Sequence, residues 1–551
     1  MRKLLIILGF VGGMLCNSAR AAEMVNVEYI HLLIEQKWGI TVPYNPALQN
    51  VKVAANMKYL LTAVDRANKI LNGTSTTDYG NGAFATQYAA DTVATIDAAD
   101  RLIKIEPKFW VTTTNDTAEF EFKMSARGIF QIYWGDGTYD IIKRTDTTAA
   151  TYFHTYAEPG RYIIGMGGRG TGYSPDNYPN PIVPVISFAD NQNIMGISGS
   201  LGAVFPTIAN GGSSSNQPRF YHTFTGCRNL SGPIPEDLFV GVSGSAMNMF
   251  EGTFQDCVNL SGYIPEKLFA GVNSTQWHLF SYTFKNCTGL TGEIPEDLFS
   301  GITSGVGATA VFHSTFMGCT GLTGSIPSGL FRGIRGLGAD MFANTFDGCS
   351  GLSGSIPENL FAGISGAPTG GGFYYTFANC TGLTGAIPEK LFVGITGKPA
   401  GGMFRATFYG CRGLTGAIPE NLFSGIKGAP AVWMYTDTFN GCRGLTGPIP
   451  KRLFGDLDGA PAAHMFNGVF ANCNGLTGEI PEDLFAGISG PSQVWMFANA
   501  FVGCSGLTGP SARIDGVPLY DIWQDNSTLG YKCYAGATGL SDYEDMPNGW
   551  K

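Results

Sequence analysis

The stretch from Met403 to Gly428, MFRATFYGCRGLTGAIPENLFSGIKG, is one copy of a sentence that recurs through more than half of this 551-residue chain. Its cysteine, Cys411, marks the register. The equivalent residues are Cys227, Cys257, Cys287, Cys319, Cys349, Cys380, Cys442, Cys473 and Cys504, at intervals of 30, 30, 32, 30 and then 31 five times. A fixed period of this size means a solenoid, because one copy is too small to bury its apolar side chains alone and must stack them on its neighbours. Solenoids present long repetitive surfaces, so recognition rather than catalysis is the expected role.

Counting from the cysteine, Phe recurs at −7 (Tyr435 once) and at −3. Leu recurs at +3, Gly at +5, Ile at +7, Pro at +8 and Leu-Phe at +11 and +12. Leu414 to Ile418 reads as a short strand with Leu414, Gly416 and Ile418 on one face. A side chain at Gly416 is therefore expected to collide with the neighbouring rungs. Pro419 and Glu420 read as the start of a helical turn that Gly425 ends. Phe404, Phe408 and Cys411, spaced i, i+4, i+7, read as a second helical turn packing inward. A cysteine repeated at one inward position behaves as a small buried hydrophobe. Rungs about 4.8 Å apart also leave rung-to-rung disulfides geometrically open.

The rest of the chain divides by pattern. Arg2 and Lys3, the apolar run Leu4 to Cys16, and Ala19-Arg20-Ala21 have the order of a secretory signal peptide over residues 1–21. That run is shorter than the roughly 20 residues a spanning helix needs. Residues 22–104 carry helical spacing, as in Tyr59/Leu60, Ala63/Val64, Ala67 and Ile70/Leu71 before the Asn72-Gly73 stop. They read as a helical domain or stalk, or as an oligomerisation or anchoring module. In residues 105–187 the period becomes two: Thr117 to Met124 alternates polar and apolar, and Phe130, Ile132 and Trp134 share a face. Residues 188–515 hold the repeats, opening on a degenerate rung from Phe188 to Phe205, and 516–551 read as a closing rung.

These patterns resemble known families. The F-x-x-C-x-x-L portion of each repeat resembles the bacterial BspA-like leucine-rich repeats, and the L-x-G-x-I-P portion resembles the plant extracellular type. The pair WGDGT (134–138) and HTYAEPGRY (154–162) resembles the PKD family. The expected fold is an α+β multi-domain chain. A leucine-rich-repeat-like solenoid of about ten 31-residue rungs follows an immunoglobulin-like PKD-type β-sandwich and a small helical N-terminal region. A period of 31 exceeds the 20–29 usual for leucine-rich repeats, and a Gly-rich insert follows at +16 to +23. Which strand lines a concave face is therefore open. Within the PKD pattern Asp136 and His154 are implied to be turn and strand residues rather than an acid and a base. The resemblance implies an exported, secreted or cell-surface adhesion protein that binds a protein or glycan on a host, a neighbouring cell or the matrix.

Outward columns that vary are where specificity can reside. Position −9 runs Asn248, His278, Ala310, Asp340, Gly371, Gly402, Trp433, His464, Trp495. Trp is enriched in binding hot spots, so Trp277, His278, Trp433, His464 and Trp495 are candidate ligand residues. Tyr263, in the variable +6 column, joins them. Position +4 is always Ser or Thr, which suits either a hydroxyl surface or a strand. Glu recurs at +9 in seven of nine rungs, from Glu236 to Glu482, where a helix start explains it. The net charge of −9 gives no basic footprint for nucleic acid. No G-x-S-x-G elbow, H-E-x-x-H pair or phosphate-binding loop occurs, and the six histidines share no metal-ligand spacing. No cofactor, metal site or catalytic residue is expected. A carbohydrate-binding accessory protein and a structural surface-layer component are the alternative roles.

Overall fold

The structure, a computed structural model, describes residues 105–175, 183–208, 216–303, 308–367, 369–523 and 530–551. The expected signal peptide and N-terminal helical region lie outside these residues. The described chain is β-rich, with two four-residue helices, α1 (Leu201–Val204) and α2 (Leu519–Ile522).

Residues 105–175 and 183–199 form two facing sheets. Strands β1 (Pro107–Thr113), β3 (Arg127–Tyr133), β4 (Tyr139–Arg144), β6 (Ile163–Gly172) and β8 (Ile194–Gly199) pair in the order β4-β3-β6-β1-β8. Strands β2 (Thr117–Met124), β5 (Ala150–Gly160) and β7 (Ile186–Ser187) pair as β5-β2-β7. Alternation decides the buried faces: Phe120, Phe122 and Met124 of β2 point inward against Phe109, Val111, Phe130, Ile132 and Trp134. Asp136 lies in the β3–β4 turn and accepts from the Thr138 amide at 2.9 Å, while His154 on β5 meets it at 2.8 Å and stacks on Trp134 at 4.8 Å. Burial alone would raise the Asp136 carboxyl, but its hydrogen bonds to Thr138 and His154 outweigh that and hold it down at about 2.

The segment read as an opening rung has two roles. Its strand β8 completes the larger sheet against β1, while Phe188 stacks on Phe224 at 5.5 Å and its amide donates to Thr223 at 2.7 Å. The first repeat thus rests on the sandwich without a break in the core. At the other end Tyr534 stacks on Phe501 at 5.5 Å and Trp550 lies against Tyr534, covering the last rung.

Between these ends each repeat hydrogen-bonds to the next. The +3 to +7 strand shrinks to a parallel bridge between Gly at +5 and Leu at +3 of the following rung, such as Gly416 to Leu445. A second parallel contact crosses the Gly-rich insert, such as Gly397 to Ile426. Aromatic columns run along the stack: Phe404 on Tyr435 and Phe377 on Phe408 are both 5.7 Å apart, and Phe423 bridges to Phe404 at 4.5 Å.

The expected helical turns do not form. Amides at −9, −7, −5, −3 and −1 donate to the next rung, while those between them close four-residue turns within their own rung. Phe404 donates to Met434, Ala406 to Thr436, Phe408 to Thr438 and Gly410 to Asn440. Arg405 donates back to Gly402, Thr407 to Phe404 and Tyr409 to Ala406. A left-handed residue recurs every fourth position, at Gly402, Ala406 and Gly410 in this rung. Helix needs every amide for its own i−4 carbonyl and no positive φ. The i, i+4, i+7 spacing that reads as helix is therefore the period of a four-residue turn ribbon. The expected helix start at Pro419 is likewise replaced by single turns, Leu422 donating to Pro419 at 3.3 Å, Ser424 to Asn421 at 3.2 Å and Ile426 to Phe423 at 3.0 Å, so the +9 glutamates face no helix dipole. They reach sideways instead: Glu389 accepts from Asn421 at 3.0 Å and Glu358 meets Lys390 at 3.4 Å.

The expected collision at Gly416 is also corrected. A Cβ on Gly416 would meet only the Ala386 Cβ at 3.5 Å, an ordinary contact, but its φ is +78°. The crowded positions are +2 and +14. A Cβ on Gly413 would lie 2.4 Å from the Leu383 carbonyl oxygen, and one on Gly425 2.2 Å from that of Ile395. Backbone of the preceding rung, not side-chain packing, fixes those glycines.

The eleven described cysteines are free and buried. Each repeat thiol donates to the Phe carbonyl of an earlier rung, as Cys411 does to Phe377 at 2.9 Å. Burial pushes the Cys411 thiol up to about 12. Threonine at −4 makes a parallel ladder, Thr407 donating to Phe373 at 3.0 Å.

Candidate functional site

Left-handed positions carry the candidate residues outward. His278, Trp433, His464 and Trp495, at −9, have φ of 54°, 58°, 58° and 59°. Bulky side chains there are unusual and costly, by about 1–3 kcal/mol each, and such strain clusters at binding and active sites. Position −5 shares the conformation and carries Tyr282 and Tyr375.

The structure joins three of the candidates. Trp433 meets His464 at 5.7 Å, and His464 meets Trp495 at 6.1 Å. The row continues past them in both directions. Trp495 reaches Tyr531 at 5.9 Å, with Lys532 5.2 Å over that ring. On the other side the Arg405 guanidinium lies 5.4 Å from both the Trp433 and the Tyr374 rings, and Tyr374 meets Tyr375 at 4.5 Å. Val432 (42% exposed), Trp433 (43%), Val494 (45%), Trp495 (36%) and Tyr531 (41%) make this an exposed apolar patch on one edge of the stack. Burial and the Arg405 charge both hold His464 below the usual imidazole range, so it is neutral near pH 7. Tyr374, Tyr375, Arg405, Tyr531 and Lys532 are the members that the −9 column alone does not reveal. Position −1, always Gly, Asn or Asp, was the legible trace of the turn ribbon that brings −6 and −5 beside −9.

Trp277 and His278 lie at the N-terminal end of the same edge, in the rung of Cys287. Trp277 is 53% exposed. His278 is half-buried and hydrogen-bonds Ser281 at 3.3 Å. Burial lowers its pKa against the opposing pull of Asp340. Ser281 is fully buried and its hydroxyl donates to the Ala310 carbonyl at 2.5 Å, so this Ser–His contact does not present a nucleophile. Nearby, Tyr282 packs edge-on to His313 at 5.0 Å, and Glu251, held by Asn248, is pushed up to about 7 by burial. Tyr263 is elsewhere: its hydroxyl donates to Glu236 at 3.0 Å in the +6/+9 columns, apart from the aromatic row.

Among the described residues no group of three or more His, Cys, Asp or Glu is placed to hold a metal ion, and no helix is long and apolar enough to cross a membrane. No protein-family model matches the chain, and no curated protein matches it.

Proposed function

We propose that this is an exported, non-catalytic surface protein whose stacked repeats form a leucine-rich-repeat-like solenoid, with a PKD-like sandwich as its N-terminal support, and that it recognises a macromolecular partner through one edge of that solenoid. The observation that carries this reading is the partly exposed row Arg405–Trp433–His464–Trp495–Tyr531, whose three central residues stand at left-handed positions. Its rings are already packed against one another, so little side-chain entropy remains to be lost on binding. Trp, Tyr and Arg are also the residues that dominate interface energetics.

Ring orientation favours a polypeptide over a glycan. Sugars stack on open aromatic faces, but here His464 stands between Trp433 and Trp495, and the Arg405 guanidinium lies over the Trp433 ring. The row offers ring edges, an indole N–H, phenol hydroxyls and a guanidinium. Capture of surface proteins by the full exported chain, compared with the Trp433→Ala/Trp495→Ala variant, tests the reading. Partner capture should fall at least about tenfold in the double variant while the far-ultraviolet spectrum is unchanged. Undiminished capture refutes the assignment of the edge.

A further inference from the structure

The row has a chemical polarity that narrows its partner. Arg405 is held by the ring faces of Tyr374 and Trp433 rather than by a carboxylate, and its Nε is buried with no hydrogen-bond partner. Asp437, the carboxyl that feels the Arg405 charge, accepts from Asn440 at 2.8 Å through Oδ1 and is half-buried. Lys532 places a second cation beyond Trp495, over Tyr531. The named row members therefore offer donors and positive charge, on a chain whose net charge is −9. An underused guanidinium with stacked aromatic flanks is pre-organised for a carboxylate, which its fork can grip with two parallel hydrogen bonds.

The row is also long and narrow. From the rung of Tyr374 to that of Tyr531 it crosses five rung steps, about 24 Å at roughly 4.8 Å per step. An extended peptide covers that length with about seven residues at roughly 3.3 Å each. Val432 and Val494 flank the rings and supply apolar contacts beside the cations.

Resting on the recognition reading above, we infer that the Tyr374–Tyr531 edge takes an extended acidic segment of a protein partner, with a carboxylate on Arg405 and aliphatic side chains against Trp433 and Trp495. The test uses the full exported chain and three synthetic eight-residue peptides in which Val alternates with Glu, Gln or Lys, plus a linear hexasaccharide. The Glu peptide should bind about tenfold more tightly than the Gln peptide. That preference should weaken with salt and vanish in Arg405→Met, whose fold is checked by slow thiol labelling. Equal binding of the Glu and Gln peptides, tighter binding of the Lys peptide, or a preference that survives Arg405→Met overturns the inference. If peptides bind without charge preference and Trp433→Ala/Trp495→Ala still abolishes it, only the acidic partner fails. If the double variant binds like the parent, the edge itself is wrong. Binding of the hexasaccharide alone overturns the inference in favour of a glycan.

Discussion

Substitutions at Gly413 and Gly416, three residues apart in one rung, should fail for different reasons, and asparagine separates them. At Gly413 an added Cβ would lie 2.4 Å from the Leu383 carbonyl oxygen, which is backbone and cannot rotate away. Relief requires the two rungs to part by several tenths of an ångström, against aromatic columns that are already in contact. Overpacking of this kind costs about 1–3 kcal/mol. At Gly416 there is room, but φ is +78°, and holding alanine there costs about 1–2 kcal/mol. Asparagine tolerates the left-handed region, so Gly416→Asn should cost less than Gly416→Ala. At Gly413, where space is the limit, Gly413→Asn should cost at least as much as Gly413→Ala. Because each rung couples only to its neighbours, hydrogen exchange read on peptides between Cys380 and Cys442 is a better assay than a global melt. Unchanged protection in Gly413→Ala, or a Gly416→Asn penalty as large as that of alanine, would refute the reasoning.

Other outcomes follow from the same structure. The eleven described thiols are buried and Cys411 is pushed up to about 12, so labelling near pH 8 should be slow in the native chain and reach all eleven after denaturation. Immediate native labelling would contradict the ladder. Glu251 titrates near 7 in the folded chain, against an ordinary value of 4.5. Its contribution to stability should be complete below about pH 4.5 and be lost as pH rises through 7, a slope that Glu251→Gln should remove in urea titrations. Asp136 behaves oppositely. Its carboxyl is held at about 2, against 3.8, so its contribution is present above pH 3.8 and lost as pH falls toward 2. Asp136→Asn should therefore destabilise the sandwich at pH 6 more than at pH 2.

Much of this architecture was readable from residue order alone. The cysteine period defined the rung. The constant Phe, Leu and Ile positions named the core, and Phe404, Phe408, Cys411, Leu414 and Ile418 are all buried. Alternation from Thr117 to Met124 and from Phe130 to Trp134 gave strands, because a two-residue period has one structural meaning. Spacing also put Trp433, His464 and Trp495 in one column.

Tertiary structure alone decided the rest. A spacing of i, i+4, i+7 is shared by a helix and by a ribbon of four-residue turns. What separates them is where the amides at −7, −5 and −3 send their hydrogen bonds. Those partners, such as Met434 for Phe404, lie in the next rung, about 30 residues away. Likewise the close approach at Gly413 is to Leu383 and the partners of Trp433 are Arg405 and His464, each one repeat distant. A local pattern records which faces are apolar. It does not record which neighbouring backbone satisfies a given amide, and in a stack of rungs that non-local pairing sets the turn geometry and brings the −9, −6 and −5 columns to one edge.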